Sequence, residues 1–267
     1  MSNLHNPTPG FCPAITLVHL YPQEMSVNGD RGNALILQRR MKWRGIPFVS
    51  IEHHPGDSWP KSIDLIVGGG PQITGTSTAQ QEQQDLLRNK ELLQECIESG
   101  TAALLIGGSF QLFGNYIELS AGETIESLGI FNMHTINGGQ RLTGNVVANS
   151  ELFGTIVGFA NHSAKTYLAD SLAPLAHIAT GAGNNGADKS EGAWYRHAIG
   201  SYLQGPLLSK NPAIADYLIA KALEHRLGES GKPIESGKPI DPSVLDPLPS
   251  VDEYAARAAI IALARPR

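Results

Sequence analysis

The stretch TAALLIGGSFQLFGNYI, residues 101–117, indicates the fold more clearly than any other part of the chain. Its apolar run, residues 102–106, predicts a buried strand, and the run ends in a tight Gly107-Gly108-Ser109 corner before a segment of helical character. Strand, sharp turn and helix in this order are the layout of a nucleophile elbow. The apex of such an elbow carries the attacking side chain, but here the apex is Gly107, which has none.

The segments before this elbow predict an α/β fold. Residues 14–20, 48–51 and 64–67 are strand-like, and the last of these strands leads into Gly68-Gly69-Gly70. Between them a helix is expected from its cap Asp30 to Gly45, and a second helix spans residues 77–99 with Gly100 as its stop. This alternation predicts a mostly parallel sheet with helices on both faces.

The remainder of the chain changes character. Residues 120–200 alternate apolar and polar positions between Gly and Asn turns, which predicts antiparallel hairpins at the sheet edge. A helix is expected from about residue 211 to 226, with Pro212 at its first position and Gly228 just past its end. We therefore divide the chain into a flexible arm (1–12), one domain (13–228), a linker containing the repeat ESGKPI-ESGKPI (229–249) and a C-terminal helix (250–267). That helix either packs on its own domain or binds a partner protein. Packing on its own domain is favoured because a short helix needs tertiary contacts to persist.

Composition excludes several functional classes. The net charge of −5 and the lack of a dense basic patch argue against nucleic acid. Nine histidines show no metal-ligand spacing, so no metal site is expected. Two cysteines, Cys12 and Cys96, form no disulfide framework, which favours a reducing cytoplasm. No signal peptide pattern and no apolar run of about 18 residues is present, so we expect neither secretion nor a membrane span.

Several stretches, in this order, carry a resemblance to a known family: NGDRGNALILQRRMKWRGI, LIVGGGPQ, IGGSFQLFG, RLTGNVV, FGTIVGFANHSAKTY, GAGNNGADKSEG and GSYLQGPLLSKNPAIADYLI. Together they resemble class I glutamine amidotransferases of the cobyric-acid-synthase type, and most closely the GatD branch, the glutaminase subunits of lipid II isoglutaminyl synthases (MurT–GatD). The resemblance implies a heterodimer with a MurT-like ATP-dependent ligase, glutamine as the small-molecule ligand and no cofactor. In such enzymes a cysteine thiolate attacks the glutamine side-chain amide, a histidine moves the protons, and the released ammonia amidates D-glutamate of lipid II.

Both members of the family's catalytic dyad are replaced in this chain. The family elbow C-G-G-Y-Q-L-L-G is matched by residues 107–114, so Gly107 stands at the nucleophile position. The family motif Y-L-H-G-P is matched by residues 202–206, so Gln204 stands at the position of the base. Glutamine cannot accept a proton near neutral pH. Loss of both groups is expected to remove most of the glutaminase rate, on the order of 10⁶-fold by analogy with triad knockouts.

The rest of the glutamine pocket is expected to be retained. The resemblance implies that the backbone of the oxyanion hole is supplied by Gly69, Gly70 and Gly108. It also implies that the glutamine substrate is held by Gln111 and Arg141, with Arg141 binding the α-carboxylate of the glutamine. Without the resemblance, Arg141 has an equal claim to be a solvated turn residue.

Three other side chains are candidates to replace the missing groups, and none is favoured. Ser109 lies two residues past the apex and has no evident base, and Cys12 falls outside the motifs. His162 is expected to be a hydrogen-bonded loop histidine rather than a catalytic one.

The sequence leaves several functions open. The chain is either a GatD-like subunit with weak or absent glutaminase activity or a non-catalytic glutamine-binding or scaffold subunit. In the first case the complex uses free ammonia, or the subunit only supports its ligase. A deliberate double substitution that traps substrate is a third interpretation, but Ser109 and Phe110 also differ from the usual Gly-Tyr, which favours drift. A cobyrinate-type amidotransferase is the remaining alternative, disfavoured because those enzymes carry a long N-terminal synthetase domain.

Overall fold

The computed structural model describes residues 14–27, 29–77 and 79–229. The expected arm, most of the expected linker and the expected C-terminal helix lie outside these residues. The elements are β1 Ile15–Leu20, α1 Asp30–Trp43, β2 Phe48–His53, β3 Leu65–Gly68, α2 Gln80–Arg88, α3 Lys90–Ser99, β4 Ala102–Ile106, α4 Gly108–Leu112, β5 Tyr116–Glu118, β6 Thr124–Glu126, β7 Met133–Ile136, β8 Leu142–Ser150, β9 Gly154–His162, β10 Lys165–Leu168, β11 Ala176–Thr180, β12 Ser190–Glu191, β13 Ala193–Tyr195, β14 Ala198–Ser201, β15 Leu203–Gln204, α5 Leu207–Lys210 and α6 Pro212–Glu229.

A six-stranded sheet forms the centre of the fold, in the order β13-β14-β4-β3-β1-β2. All of its pairs are parallel except β13 with β14. The predicted α/β architecture is therefore confirmed. The elbow strand β4 lies between β3 and β14, so the carboxyl ends of these three strands meet at one edge of the sheet.

Strand β4 is apolar at every position because both faces of the sheet are covered. Leu104 and Ile106 pack on one face with α1, α6 and the β8–β9 hairpin, whereas Ala103 and Leu105 pack on the other with α2, α3 and α4. All five residues of the strand are at most 1% exposed. Burial of each leucine or isoleucine contributes roughly 1.5–3 kcal/mol, which fixes the strand that carries the elbow.

Two smaller sheets flank the central one. The long β8–β9 hairpin pairs antiparallel over nine residues and belongs to a five-stranded sheet, β12-β11-β8-β9-β15. A four-stranded sheet, β10-β7-β5-β6, contains one parallel pair, β5 with β7. The predicted antiparallel hairpins are present, but the long one packs across the core as part of its own sheet. Only β13 extends the edge of the central sheet in antiparallel fashion.

Two helix boundaries differ from expectation. The single helix expected over residues 77–99 is two helices, because Asn89 leaves the helical conformation (φ −113°, ψ 23°) and its side-chain amide donates to the Asp85 carbonyl at 2.8 Å. An asparagine that bonds the local backbone in this way competes with the helical ladder. Gly228 lies inside the last turn of α6 rather than past its end. No helix in the described ranges is long and apolar enough to cross a membrane.

Candidate active site

Gly107 forms the predicted sharp turn between β4 and α4. Its backbone has φ 59° and ψ −113°, a combination that costs any residue with a side chain strain energy. Its N–H donates to the Ser201 carbonyl at 3.0 Å, and its carbonyl accepts the N–H of Gln111 at 3.1 Å. The elbow is therefore built as the sequence predicts, with glycine at its apex.

The loop that follows β3 fills the space in which a side chain at the apex would begin. A Cβ atom added to Gly107 would lie 2.5 Å from the carbonyl oxygen of Gly70. That carbonyl accepts the N–H of Gly108 at 3.2 Å. The neighbouring Gly69 carbonyl accepts both the N–H of Ser109 at 3.1 Å and its hydroxyl at 2.6 Å. The apex is thus closed by three hydrogen bonds between the β3 loop and the elbow helix.

Of the three glycines expected to form the oxyanion hole, Gly69, Gly70 and Gly108, the last two have their amides engaged within the protein. The Gly108 N–H points at Gly70, and the Gly70 N–H donates to Asp30 Oδ2 at 2.9 Å. Asp30 is not the helix cap that the sequence suggests: the N-cap of α1 is Gly29 at φ 87°, and the Asp30 carboxyl is buried against Gly69 and Gly70. Burial raises the pKa of Asp30 to about 7, and the Gly70 hydrogen bond opposes that rise.

Gln204 lies at the same edge of the sheet. It follows Ser201, whose carbonyl receives the Gly107 N–H, and it stands in β15, which pairs antiparallel with β9. Its side-chain amide donates to the Asn161 carbonyl at 3.4 Å, and the residue is 9% exposed. The structure therefore brings the two substituted dyad positions to the ends of neighbouring strands, and neither supplies a group that titrates near neutral pH.

Arg141 joins this edge through Asn161. The Arg141 guanidinium donates from Nε to Asn161 Oδ1 at 2.6 Å, while the backbone carbonyl of the same asparagine accepts from Gln204. Arg141 is exposed, as an arginine that binds a small carboxylate from solvent would need to be. Asn161, which was not singled out within the stretch FGTIVGFANHSAKTY, thus connects Arg141 to Gln204.

Gln111 is placed differently from an open substrate-binding residue. It is fully buried, and its side-chain oxygen accepts the N–H of Ile73 at 2.8 Å. The bond fastens the β3 loop, just beyond Gly70, to helix α4. In this structure Gln111 holds the closed loop in place.

A buried carboxyl beneath the elbow also escaped prediction from the sequence. Glu191 is fully buried and accepts a hydrogen bond from the Ser201 hydroxyl at 2.7 Å, and that hydroxyl accepts the N–H of Leu203 at 2.9 Å. Burial raises the pKa of Glu191 to about 7. In the sequence, Glu191 is marked only by its position at the end of the polar loop 181–192. The composition of that loop is typical of an exposed segment, so a buried carboxyl was not expected there. The carboxyl fixes the segment that leads to Gln204.

The other candidates do not supply the missing chemistry. His162 is buried and stacks on Tyr202 with 4.0 Å between ring centroids; its Nδ1 lies 2.8 Å from the Ala164 carbonyl, and burial lowers its pKa. The Ser109 hydroxyl is buried and donates to a carbonyl rather than to a base. Cys96 lies in α3, whose end leads to the opposite edge of the sheet, and Cys12 falls outside the described residues. Among the residues that the structure describes, the elbow has no nucleophile paired with a base, and no three His, Cys, Asp or Glu side chains are grouped to hold a metal.

Comparisons with known proteins identify a matching family and similar proteins. The model of the CobB/CobQ-like glutamine amidotransferase domain matches residues 16–212. Subunit GatD of the glutamine-hydrolysing lipid II isoglutaminyl synthase of Staphylococcus aureus (strain N315) is 35% identical over 240 residues, which cover 87% of this chain and 90% of the relative. The same subunit of Streptococcus pneumoniae (strain ATCC BAA-255 / R6) is 34% identical over 221 residues, covering 80% and 83%. A crystal structure of a Thermotoga maritima glutamine amidotransferase has a TM-score of 0.49 at 12% identity, covering 94% of this chain and 95% of that one.

Proposed function

Because the chain belongs to the CobB/CobQ-like glutamine amidotransferase family, we propose that it is a GatD-type subunit which pairs with a MurT-like ATP-dependent ligase. The pair amidates the D-glutamate of lipid II during peptidoglycan synthesis, on the cytoplasmic side where ATP is present. This subunit contributes little or no glutamine hydrolysis, and the complex takes its nitrogen from free ammonia.

The closed elbow is the observation that carries the loss of glutaminase activity. A cysteine at position 107 would place its Cβ 2.5 Å from the Gly70 carbonyl, so the β3 loop must move before a thiol can stand there. The Gly108 amide, which would stabilise an oxyanion, is bonded to that same carbonyl. Position 204 lacks a proton acceptor for the same reaction. The site therefore lacks a nucleophile and a base, and the amide that would stabilise an oxyanion is bonded to Gly70.

The nitrogen source of the complex tests this proposal. The full chain is combined with its MurT-like ligase, ATP and a lipid II substrate, and supplied with either ¹⁵N-ammonium or glutamine labelled with ¹⁵N in its side-chain amide. We expect labelled product from ammonium and none above background from glutamine. We also expect omission of this chain to lower the ammonium-driven rate, because the subunit supports its ligase. Incorporation from glutamine at a rate similar to that from ammonium would refute the loss of glutaminase activity.

A second function is favoured by one observation, the exposed Arg141 held by Asn161 beside Gln204. A guanidinium in this position suits the α-carboxylate of an amino acid, so the subunit would bind glutamine without hydrolysing it and pass its occupancy on to the ligase. Calorimetric titration with glutamine distinguishes this binding role from a subunit that only supports its ligase. Saturable binding that Arg141→Ala abolishes and Lys189→Ala leaves unchanged would support the binding role, and an absence of binding to the wild-type chain would exclude it.

A further inference from the structure

The outward face of α1 carries large apolar side chains in solvent. Trp43 is 64% exposed and Leu35 is 50% exposed; the half-buried Ile36 follows Leu35 directly and lies two turns before Trp43. Together with Arg39, Arg40 and Ser209 they line a shallow, largely apolar groove of about 200 Å³ between α1 and α5. An exposed tryptophan beside an aliphatic groove is typical of a surface that contacts another polypeptide segment. We call this surface the α1 groove.

Cations lie in and beside the α1 groove: Arg39 and Arg40 line it, and Lys42 follows them in the same helix. Helix α1 contains four cations, Arg31, Arg39, Arg40 and Lys42, and a single acid, Asp30, in a chain whose net charge is −5. Arg39 and Lys42 are exposed. Arg40 and the following Arg44 share one carboxylate, that of Asp216, at 2.8 and 2.9 Å. The groove therefore suits a segment that is both apolar and acidic.

The chain itself contains such a segment after the described domain. Residues 241–254, DPSVLDPLPSVDEY, hold four acids and no lysine or arginine. Val244, Leu245, Leu248, Val251 and Tyr254 are interspersed among these acids. The charge and the apolar content of the segment both complement the α1 groove.

The path of the chain makes this contact reachable. Helix α6 packs beside α1 and ends at Glu229. Near that end Arg226 donates to the Ala14 carbonyl at 3.0 Å, and the next N–H, that of Ile15, donates to the Pro47 carbonyl just after α1. The end of α6 and the Trp43 end of α1 thus flank the start of β1. Eleven residues, 230–240, separate α6 from the acidic segment, and a chain of that length spans roughly 18 Å on average and about 36 Å at most.

We propose that residues 241–254 dock in the α1 groove of their own chain, with apolar side chains over Leu35 and Trp43 and acids beside Arg39 and Lys42. The effective concentration of a tethered segment is high, so weak contacts suffice for docking. Each exposed ion pair contributes roughly 1.4- to 5-fold to an equilibrium constant. Ion pairs to the two cations Arg39 and Lys42 together contribute about 2- to 25-fold, so loss of all four acids should lower the ratio of docked to undocked chain by about twofold or more. The proposal does not depend on the nitrogen source of the complex.

Acrylamide quenching of Trp43 in the full chain tests the docking. The chain has three tryptophans, so the Trp43 signal is taken as the difference between each protein and its Trp43→Phe counterpart. We expect Trp43 to be shielded in the wild-type chain. We expect shielding to be lost when Asp241, Asp246, Asp252 and Glu253 are replaced by Asn or Gln, and to weaken with added salt. All four positions lie outside the described residues, so every contact among the described residues keeps both of its partners in this variant.

A second pair of variants tests the groove side. Arg39→Glu with Lys42→Glu should expose Trp43, whereas Lys61→Glu with Lys189→Glu, at two exposed positions on other segments, should not. Equal quenching of Trp43 in the wild-type chain and the four-acid variant would overturn the proposal. So would shielding that appears only as protein concentration rises, which indicates a second copy, or only after the ligase is added, which indicates a partner subunit.

Discussion

Substitution of Gly107 by alanine probes the closed elbow most directly. The new Cβ would lie 2.5 Å from the Gly70 carbonyl oxygen, well inside van der Waals contact, and the backbone would keep φ 59° and ψ −113°. Both effects destabilise the folded state, since the backbone conformation disfavours a side chain and the β3 loop must retreat. Retreat of that loop also lengthens the hydrogen bond from the Gly108 N–H to Gly70.

The expected loss follows from these effects. Backbone strain costs about 1–3 kcal/mol, crowding in a packed site costs about 1–3 kcal/mol, and the hydrogen bond contributes about 0.5–1.5 kcal/mol. Alanine lowers the entropy of the unfolded chain and returns about 0.4–1 kcal/mol. We therefore expect Gly107→Ala to lower the free energy of unfolding by about 1.5–7 kcal/mol, which corresponds to a fall in Tm of roughly 3–28 °C at about 2–4 °C per kcal/mol.

Two other glycines serve as matched controls in the same thermal and urea unfolding experiments. Gly154 has φ 66° and open space where a methyl group would stand, so Gly154→Ala isolates the backbone effect, roughly 1–2 kcal/mol. Gly75 has open space and no left-handed backbone, so Gly75→Ala should stay within about 0.5 kcal/mol of wild type. If Gly107→Ala costs no more than Gly154→Ala, the β3 loop yields freely and the elbow is not closed in the sense proposed.

Three further predictions concern buried or half-buried polar contacts of the domain. The pKa of Glu191 is raised from 4.5 to about 7, so between these pH values the native state keeps a proton that the unfolded chain releases. The free energy of unfolding therefore falls as pH rises across that window. Glu191→Gln should flatten this slope, measured by urea unfolding at pH 5 and pH 8. Gln111→Met leaves the Ile73 N–H unpaired and should cost about 1–3 kcal/mol by urea unfolding, and an unchanged midpoint would contradict its role in fastening the loop. Asp216→Ala leaves two guanidinium groups, 4% and 3% exposed, without their shared carboxylate and should cost about 3 kcal/mol by calorimetry; a loss below about 1 kcal/mol would show that other partners suffice.

The central sheet was predictable from the sequence because its signals are local. The run at residues 102–106 is apolar at every position, and a strand covered on both faces typically has that pattern at this length. The helix over residues 77–99 was predicted as continuous because its composition is strongly helical, whereas the break depends on one asparagine that bonds its own backbone. The extent of α6 was underestimated because glycine usually ends a helix, but here the chain continues through Gly228.

The sequence motifs name the residues of the candidate site but do not predict their contacts. The motifs singled out Gly107, Gln204 and Arg141; the structure joins the Gly107 N–H to the Ser201 carbonyl just before Gln204, and joins both Arg141 and Gln204 to Asn161. The engagement of Gly70 and Gly108 with each other depends on distances between segments far apart in the chain, which no local pattern encodes. The same holds for Asp30, which local chemistry marks as a cap and tertiary packing buries beneath the β3 loop.

Glutamate release from glutamine, by the full chain together with its MurT-like ligase, is the measurement that bears most sharply on the loss of glutaminase chemistry. The double variant Gly107→Cys with Gln204→His is measured beside the wild-type chain. We predict no release above the buffer rate from the wild-type chain and clear turnover from the double variant, whose thiol displaces the Gly70 carbonyl. Release by the wild-type chain at a rate comparable to the double variant would contradict that loss and direct attention to another nucleophile, beginning with Ser109.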